Sequence, residues 1–288
     1  MDQITRTMFN EFISSTGLTT LSESSQFEHF VGYLITQRHY GDLFSTEDIV
    51  VGAGGDTGID SIAIIANGSL IIEPEEIEDF ATNNGYLDIV FVFMQSETSA
   101  RFDAAKIGTF GFGVSDFFSD TPRLQGNDKV KHLRKIWSKI LEHSKDFKNG
   151  NPQCYLYYAT TGRWLDDQNL VARRDAVKKD MENLGLFRNV IFDCLGANEL
   201  QGLYRRSKNA ISATITFNTR TAIPEVQGVQ EAYLGLLPAT EFLKLIVSDT
   251  GEIINSLFYD NVRHWQELNS VNTEINQTVS DDGTKVLF

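Results

Sequence analysis

The chain has 288 residues, with 25 Lys or Arg against 39 Asp or Glu, a net charge of −14 with His neutral. Hydrophobic residues make up 41 % of it and charged residues 22 %, ordinary globular values that exclude a disordered chain and a fibre. No run approaches the roughly 18 apolar residues of a membrane helix, and no basic region followed by an apolar core opens the chain. Its two cysteines, Cys154 and Cys194, make neither a disulfide framework nor a metal-ligand spacing. A soluble, cytoplasmic, acidic protein of one large or two ordinary domains is expected, with no membrane partner. The acidity argues against indiscriminate coating of nucleic acid but leaves room for a local basic groove, because binding depends on the charges near the phosphates.

In chain order, residues 2–16 and 26–39 read as helices. In the second, Phe27, Phe30, Val31, Leu34 and Ile35 recur at helical spacing, and Ser24 and Ser25 can cap its start. Ile59 to Ala66 and Ser69 to Ile72 read as strands around Asn67-Gly68, a strong hairpin signal. A short acidic helix follows from Pro74 to Thr82, with proline in its first turn. Leu87 to Met94 is an apolar run rich in β-branched and aromatic residues, as in a strand buried on both faces. Asp103 to Phe118 reads as helical at least in part, with Gly108, Gly111 and Gly113 as interruptions.

The alternation continues with a helix at Lys129–Phe147, a strand at Gln153–Ala159 and a helix at Asp167–Leu184. A strand at Asn189–Phe192 and a helix at Ala197–Ser207 complete it. Strands set between helices of this length imply an α/β fold, a sheet covered on both faces. From Ile211 the character changes, with a Thr-rich strand at Ser212–Thr219, a strand near Ala232–Leu236 and a helix near Ala239–Val247. The expected organisation is one α/β domain over 1–210 and a second region over 211–288. The chain ends on the apolar run Lys285-Val286-Leu287-Phe288, which reads as a cut before an unfinished strand and hence as an N-terminal piece of something longer.

Four acidic or amide residues fall in an order that carries chemistry. Glu28 lies on a core-facing helix, and Asp60 opens a strand after the glycine-rich turn 52–58. Gln95 and Glu97 end the buried strand as Gln-Ser-Glu, where residues i and i+2 share a face. If the strand opened by Asp60 lies beside them, three oxygen ligands, Asp60, Gln95 and Glu97, converge. That donor set suits Mg²⁺ or Mn²⁺, and such a cation activates water and neutralises charge on a phosphate. A glycine-rich turn lets backbone approach a phosphate closely. Taken singly, each of these residues has a plainer reading, a solvated acid at a strand end or a tight turn.

Other features are less specific. The basic groups Lys129-Lys131-Arg134-Lys135-Lys139, Arg173-Arg174-Lys178-Lys179 and Arg205-Arg206-Lys208 can touch phosphates but read more simply as solvated helix faces. No serine sits in a Gly-x-Ser-x-Gly elbow. The five histidines show no paired ligand spacing, and His29 reads as helix surface. Phe110, Phe112, Phe117 and Phe118 read as core rather than as a base-stacking platform.

Phe27-Glu28, then GGDTGID, then a buried strand ending in a Gln-x-x triplet resembles the PD-(D/E)XK nuclease superfamily, and most closely its Mrr-type restriction branch. NGYLDIVFVFMQSETSARFDAAKIGTFGFGVSDFF resembles the corresponding stretch of the abortive-infection phage-resistance (AIPR) family, and LFYDNVRHWQELNSVNTEINQTV resembles that family's second hallmark. The resemblance implies a restriction-endonuclease-like core, a central mixed sheet flanked by helices, with an appended α/β region that begins the C-terminal part of the family. It also implies a Mg²⁺- or Mn²⁺-dependent nuclease acting on DNA or RNA in bacterial anti-phage defence. Nucleases of this fold that cut both strands often pair, so a homodimer is expected.

Carried over, Glu28 is the helical acid, Asp60 the main metal ligand and Gln95 the Glu/Gln of the triplet. Glu97 stands where the family pattern has lysine. Three readings stay open at that position. Glu97 is a further metal ligand; or the lysine has migrated, Lys106 being nearest in sequence; or the site is silent and the domain binds without cutting.

Overall fold

The computed structural model describes residues 1–52, 54–55, 57–208, 213–222 and 233–247. The C-terminal run at 285–288 and the second family-like stretch at 257–279 lie outside the described residues, as do Ala53 and Asp56 of the glycine-rich turn.

Helix α1 (Gln3–Thr16) is capped by Asp2, whose carboxylate accepts from Ile4 and Thr5 N–H, and it ends on Gly17 in the left-handed region. Helix α2 (Glu23–His39) starts earlier than the apolar spacing indicates, because Ser22, not Ser24 or Ser25, is its cap. A single turn, α3 (Thr46–Ile49), leads to the glycine-rich turn. Strand β1 (Ser61–Ala66) and the two-residue β2 (Ser69–Leu70) form the expected hairpin. Asn67 and Gly68 carry φ of 52° and 83°, as a type I′ turn requires.

Helix α4 (Pro74–Asn84) carries the acidic run and is followed by β3 (Ile89–Glu97), which extends beyond Met94 to include the whole Gln-Ser-Glu triplet. Then come α5 (Ala104–Phe117), α6 (Asp128–Glu142), β4 (Gln153–Thr160), α7 (Gln168–Asn183), β5 (Asn189–Leu195) and α8 (Ala197–Lys208).

Among the described residues the main sheet has five strands in the order β2-β1-β3-β4-β5. β1 is antiparallel to β2 and β3, whereas β3, β4 and β5 run parallel, so the sheet is mixed. One face is covered by Phe9 and Phe12 of α1, Phe27, Phe30 and Leu34 of α2, and Leu200 of α8, packed on Ala63, Ile65, Val92 and Met94. The other is covered by Phe110, Phe117, Trp137, Ile140 and Met181, packed on Ile62, Ile64, Phe91, Phe93 and Leu156. This is the α/β layering that the alternation implied. No helix among the described residues is long and apolar enough to cross a membrane.

Three sequence readings are corrected by packing. His29 is not a surface residue: it is buried, and its Nδ1 lies 2.7 Å from Thr46 Oγ1. The glycines of α5 do not interrupt the helix; they allow close approach. A Cβ at Gly111 would collide with the Val177 side chain on α7, and one at Gly113 with the Thr57 carbonyl oxygen of the glycine-rich turn. The Thr-rich segment forms no strand over 213–218; the strand there, β6 (Thr219–Ala222), pairs antiparallel with β7 (Tyr233–Leu236). Helix α9 (Ala239–Ile246) follows, and Glu241 Oε2 accepts from Thr216 N–H at 2.7 Å. The described parts form two compact units, one of Met1–Tyr40 with Phe44–Tyr204, the other of Gly41–Leu43 with the described residues between Arg205 and Val247.

The helical glycines give opposite expectations. Gly113→Ala must displace backbone and should lower unfolding free energy by about 2 kcal/mol or more. At Gly108 a Cβ meets nothing nearer than 3.5 Å, so Gly108→Ala should be neutral or stabilising by about 0.5–1 kcal/mol. Urea denaturation of the two variants checks both signs.

A second expectation concerns acid. Burial, helped by the Arg38 charge, pushes the His39 imidazole down to about 3, and its Nε2 lies 2.8 Å from the Tyr157 hydroxyl. An unfolded histidine titrates near about 6.5. Between these values the unfolded chain binds a proton that the folded chain refuses. The contribution to stability is therefore complete above about pH 6.5 and is lost as the pH falls toward 3, at about 1.4 kcal/mol per pH unit. Urea unfolding across this window should show the slope, and His39→Gln should remove about one proton's share of it.

Candidate functional site

The four residues singled out in the sequence lie around one edge of the sheet, where β3 and β4 end and β1 begins. In a sheet with parallel strands this carboxyl-end edge is the usual place for a ligand. The glycine-rich turn leads into it. Gly54, Gly55, Thr57 and Gly58 all adopt positive φ, a run that glycine tolerates and a β-branched threonine does not favour. Asn127, the cap of α6, clamps this turn: its Nδ2 donates to Val51 O at 2.6 Å and its N–H to Gly55 O at 2.8 Å.

Asp60 is buried at 7 % exposure, immediately before β1. Its N–H donates to Met94 O at 2.9 Å, while its Oδ2 accepts from Ser96 N–H at 2.7 Å and from the Ser96 hydroxyl at 2.9 Å. Asp60 is thus bonded to the residues on either side of Gln95. The two bonds from Ser96 fix a carboxylate that burial alone would penalise, and the backbone bond to Met94 anchors its residue.

Gln95 Oε1 is buried and accepts no hydrogen bond. Leaving such an acceptor unsatisfied costs about 1–3 kcal/mol, and orphaned side-chain oxygens of this kind are few in folded proteins. Glu97, half-buried, points its Oε1 at Lys106 Nζ, 2.5 Å away. Lys106 sits in the first turn of α5, whose cap Asp103 accepts from the N–H groups of Ala105 and Lys106. The α5 cap thereby aims the lysine back at the end of β3.

Glu28 lies on α2, half-buried, with its carboxylate against Gly52; a Cβ there would stand 2.5 Å from Glu28 Oε2. One turn on, Gly32 lies against Ser61, where a Cβ would stand 3.0 Å from the hydroxyl oxygen. The bare backbone at these two glycines is what lets α2 bring its acid alongside the start of β1.

Strand alternation divides the group. Gln95 and Glu97 share the face of Phe91 and Phe93, toward α5, whereas Ser96 shares the face of Val92 and Met94, toward α2. Glu28 and the Ser96-bound carboxylate oxygen of Asp60 belong to the α2 side, Gln95, Glu97 and Lys106 to the α5 side, and the two sets meet at the edge. Among the described residues no three His, Cys, Asp or Glu side chains cluster as a metal-binding group. An Asp carboxylate and an unpartnered amide oxygen nevertheless fit a hard divalent cation, which usually takes one or two carboxylates and completes its shell with water and phosphate.

Two further residues belong to the edge and carry no sequence signal. Ser96 fixes Asp60. Tyr158 of β4 is paired in register with Gln95, and its buried hydroxyl has no hydrogen-bond partner. Two cations of the basic helix α6, by contrast, serve structure: Lys129 donates to Glu47 O and Val50 O, and Arg134 bonds Asp116.

The fold and edge together define an α/β protein with a mixed sheet and an acid–amide–lysine group at the carboxyl end of its parallel strands. Set against family models, curated proteins and solved structures, the chain matches none.

The orphaned amide carries an expectation of its own. Gln95→Leu removes an unsatisfied buried oxygen while keeping most of the volume. It should leave stability unchanged or raise it by about 1 kcal/mol, read as the midpoint of thermal or urea unfolding, at the expense of any function that uses the oxygen.

Proposed function

We propose that the chain carries a metal-dependent nuclease module of the PD-(D/E)XK type, hydrolysing phosphodiester bonds in DNA or RNA, in a protein of the AIPR kind used in bacterial anti-phage defence. The observation that carries this reading is Lys106. The family pattern requires an ammonium group at the end of the buried strand. Glu97 occupies that position, and Lys106 Nζ stands 2.5 Å from its carboxylate. Of the three readings of Glu97, the pairing favours the migrated lysine. The ammonium is supplied from α5, and Glu97 holds it in place.

In this reading Asp60 and Gln95 hold Mg²⁺ or Mn²⁺, and Glu28 supports them from α2. The cation, when bound, supplies charge neutralisation at the phosphate and a more acidic water. Lys106 orients the attacking water and offsets charge that develops on the phosphate oxygens, a role worth on the order of 100-fold in rate for a single well-placed donor. Ser96 keeps the Asp60 carboxylate from rotating away. The mixed sheet between helices and the glycine-rich turn before Asp60 support the same reading. A second copy of the chain as partner, for cutting both strands, is part of the proposal.

The purified full chain is incubated with plasmid DNA and with RNA in Mg²⁺ or Mn²⁺. Cleavage should be lost in Asp60→Ala and fall by about 100-fold in Lys106→Met. Lys106 is 54 % exposed, so its removal should change stability by no more than about 1 kcal/mol. The exchange Glu97→Lys with Lys106→Glu keeps an ammonium at the site and should retain part of the activity. Cutting that survives Asp60→Ala sinks the assignment, and an intact wild type that binds nucleic acid without cutting it points to a silent binding module instead.

A further inference from the structure

Tyr158 is the largest polar group at this edge that the proposed chemistry leaves without a task. Its side chain is fully buried, at 0 % exposure, and its hydroxyl has no hydrogen-bond partner. It stands on β4 directly beside Gln95 on β3 in the parallel register, and neighbours in register present their side chains to the same face. Two oxygens with no partner, the Tyr158 hydroxyl and Gln95 Oε1, therefore project from adjacent strands on one side of the sheet. Burial above all, and then Glu97, Asp103, Cys194 and Asp60 nearby, raise the phenol above its ordinary range. A tyrosine hydroxyl is protonated at neutral pH and can serve as a hydrogen-bond donor. Phe102 packs against its ring, with centroids 6.1 Å apart, and fixes where the hydroxyl sits.

A buried donor and a buried acceptor that ignore each other side by side, with carboxylates around them, are a site built for something that both can bind. Gln95 offers an oxygen to a cation, and Tyr158 offers a proton to an oxygen in the cation's shell. We infer that Tyr158 is a positioning residue, whose hydroxyl donates a hydrogen bond to a water molecule held at the divalent-cation site of Asp60 and Gln95. This rests on the cation reading given above. Its consequence is directional: the water is held by its acceptor side, with its own protons turned toward the carboxylates.

The test uses the full chain and Mn²⁺ alone. Binding is measured by titration calorimetry, and the tyrosine environment by the ultraviolet difference spectrum on adding the metal. The wild type should bind Mn²⁺ and show a tyrosine difference band. Tyr158→Phe should bind within about threefold of the wild type but lose that band, a signature that a merely structural tyrosine would not produce. Asp60→Asn should lose both binding and band. If the band persists in Tyr158→Phe, or if the wild type binds Mn²⁺ with no tyrosine band, the inference about Tyr158 is overturned while the cation site stands. If the wild type does not bind Mn²⁺, or Asp60→Asn binds it as tightly as the wild type, the cation reading itself fails and the inference falls with it.

Discussion

The architecture depends on β3 being apolar on both faces. Phe91 and Phe93 point one way, Val92 and Met94 the other, and all four are buried. A strand of this kind cannot lie at a surface, since each exposed Phe or Val side chain forgoes about 1.5–3 kcal/mol of burial. It must have strands at both edges and helices over both faces. β1 and β4 fill the edges, α1 and α2 cover one face and α5 and α6 the other. The same constraint determines where polarity is allowed. The apolar run stops at Met94, so Gln95, Ser96 and Glu97 place polar side chains at the strand's carboxyl end.

That edge is built from opposed demands. Asp60 is buried but well bonded, through Ser96, so its charge is tolerated. Gln95 Oε1 and the Tyr158 hydroxyl are buried without a hydrogen-bond partner, a local cost that Thr36 Oγ1 and Arg134 Nε also bear elsewhere in the fold. Asp116, near the far end of α5, makes a contrast. Equally buried, it is bonded by Arg123 N–H, Leu124 N–H and Arg134, which makes it a staple within the fold rather than a site.

The excess negative charge takes on a different meaning once it is placed. Glu75, Glu76, Glu78 and Asp79 ride on α4, where Glu76 caps its own helix by accepting from the N–H groups of Ile72 and Glu73. Lys139 of α6 bridges Glu78 and Glu142. Much of the acidity is thus capping and surface pairing, remote in sequence from the edge. At the edge itself Glu97 is answered by Lys106, leaving a group that is polar and mixed in sign rather than simply acidic.

The sequence by itself determined the local pieces: the Asn-Gly hairpin, the proline-started acidic helix, the double-faced strand and the α/β alternation, because each is set by nearest-neighbour backbone chemistry and periodicity. It also singled out Glu28, Asp60, Gln95 and Glu97, since acids and amides at strand ends are visible without a fold. Only the tertiary structure decided what those residues touch. The glycines of α5 read as breakers until Val177 and the Thr57 carbonyl were brought against them. His29 read as surface until α3 closed over it. Glu97 read in three ways because the group it touches, Lys106, sits on another element, brought there by α5. Tyr158 left no trace at all, because a tyrosine in an apolar strand is ordinary until the parallel register of β3 and β4 sets its unpartnered hydroxyl beside Gln95. Pairing across strands is a long-range choice, made by the burial of whole faces and not by any residue's neighbours in the chain.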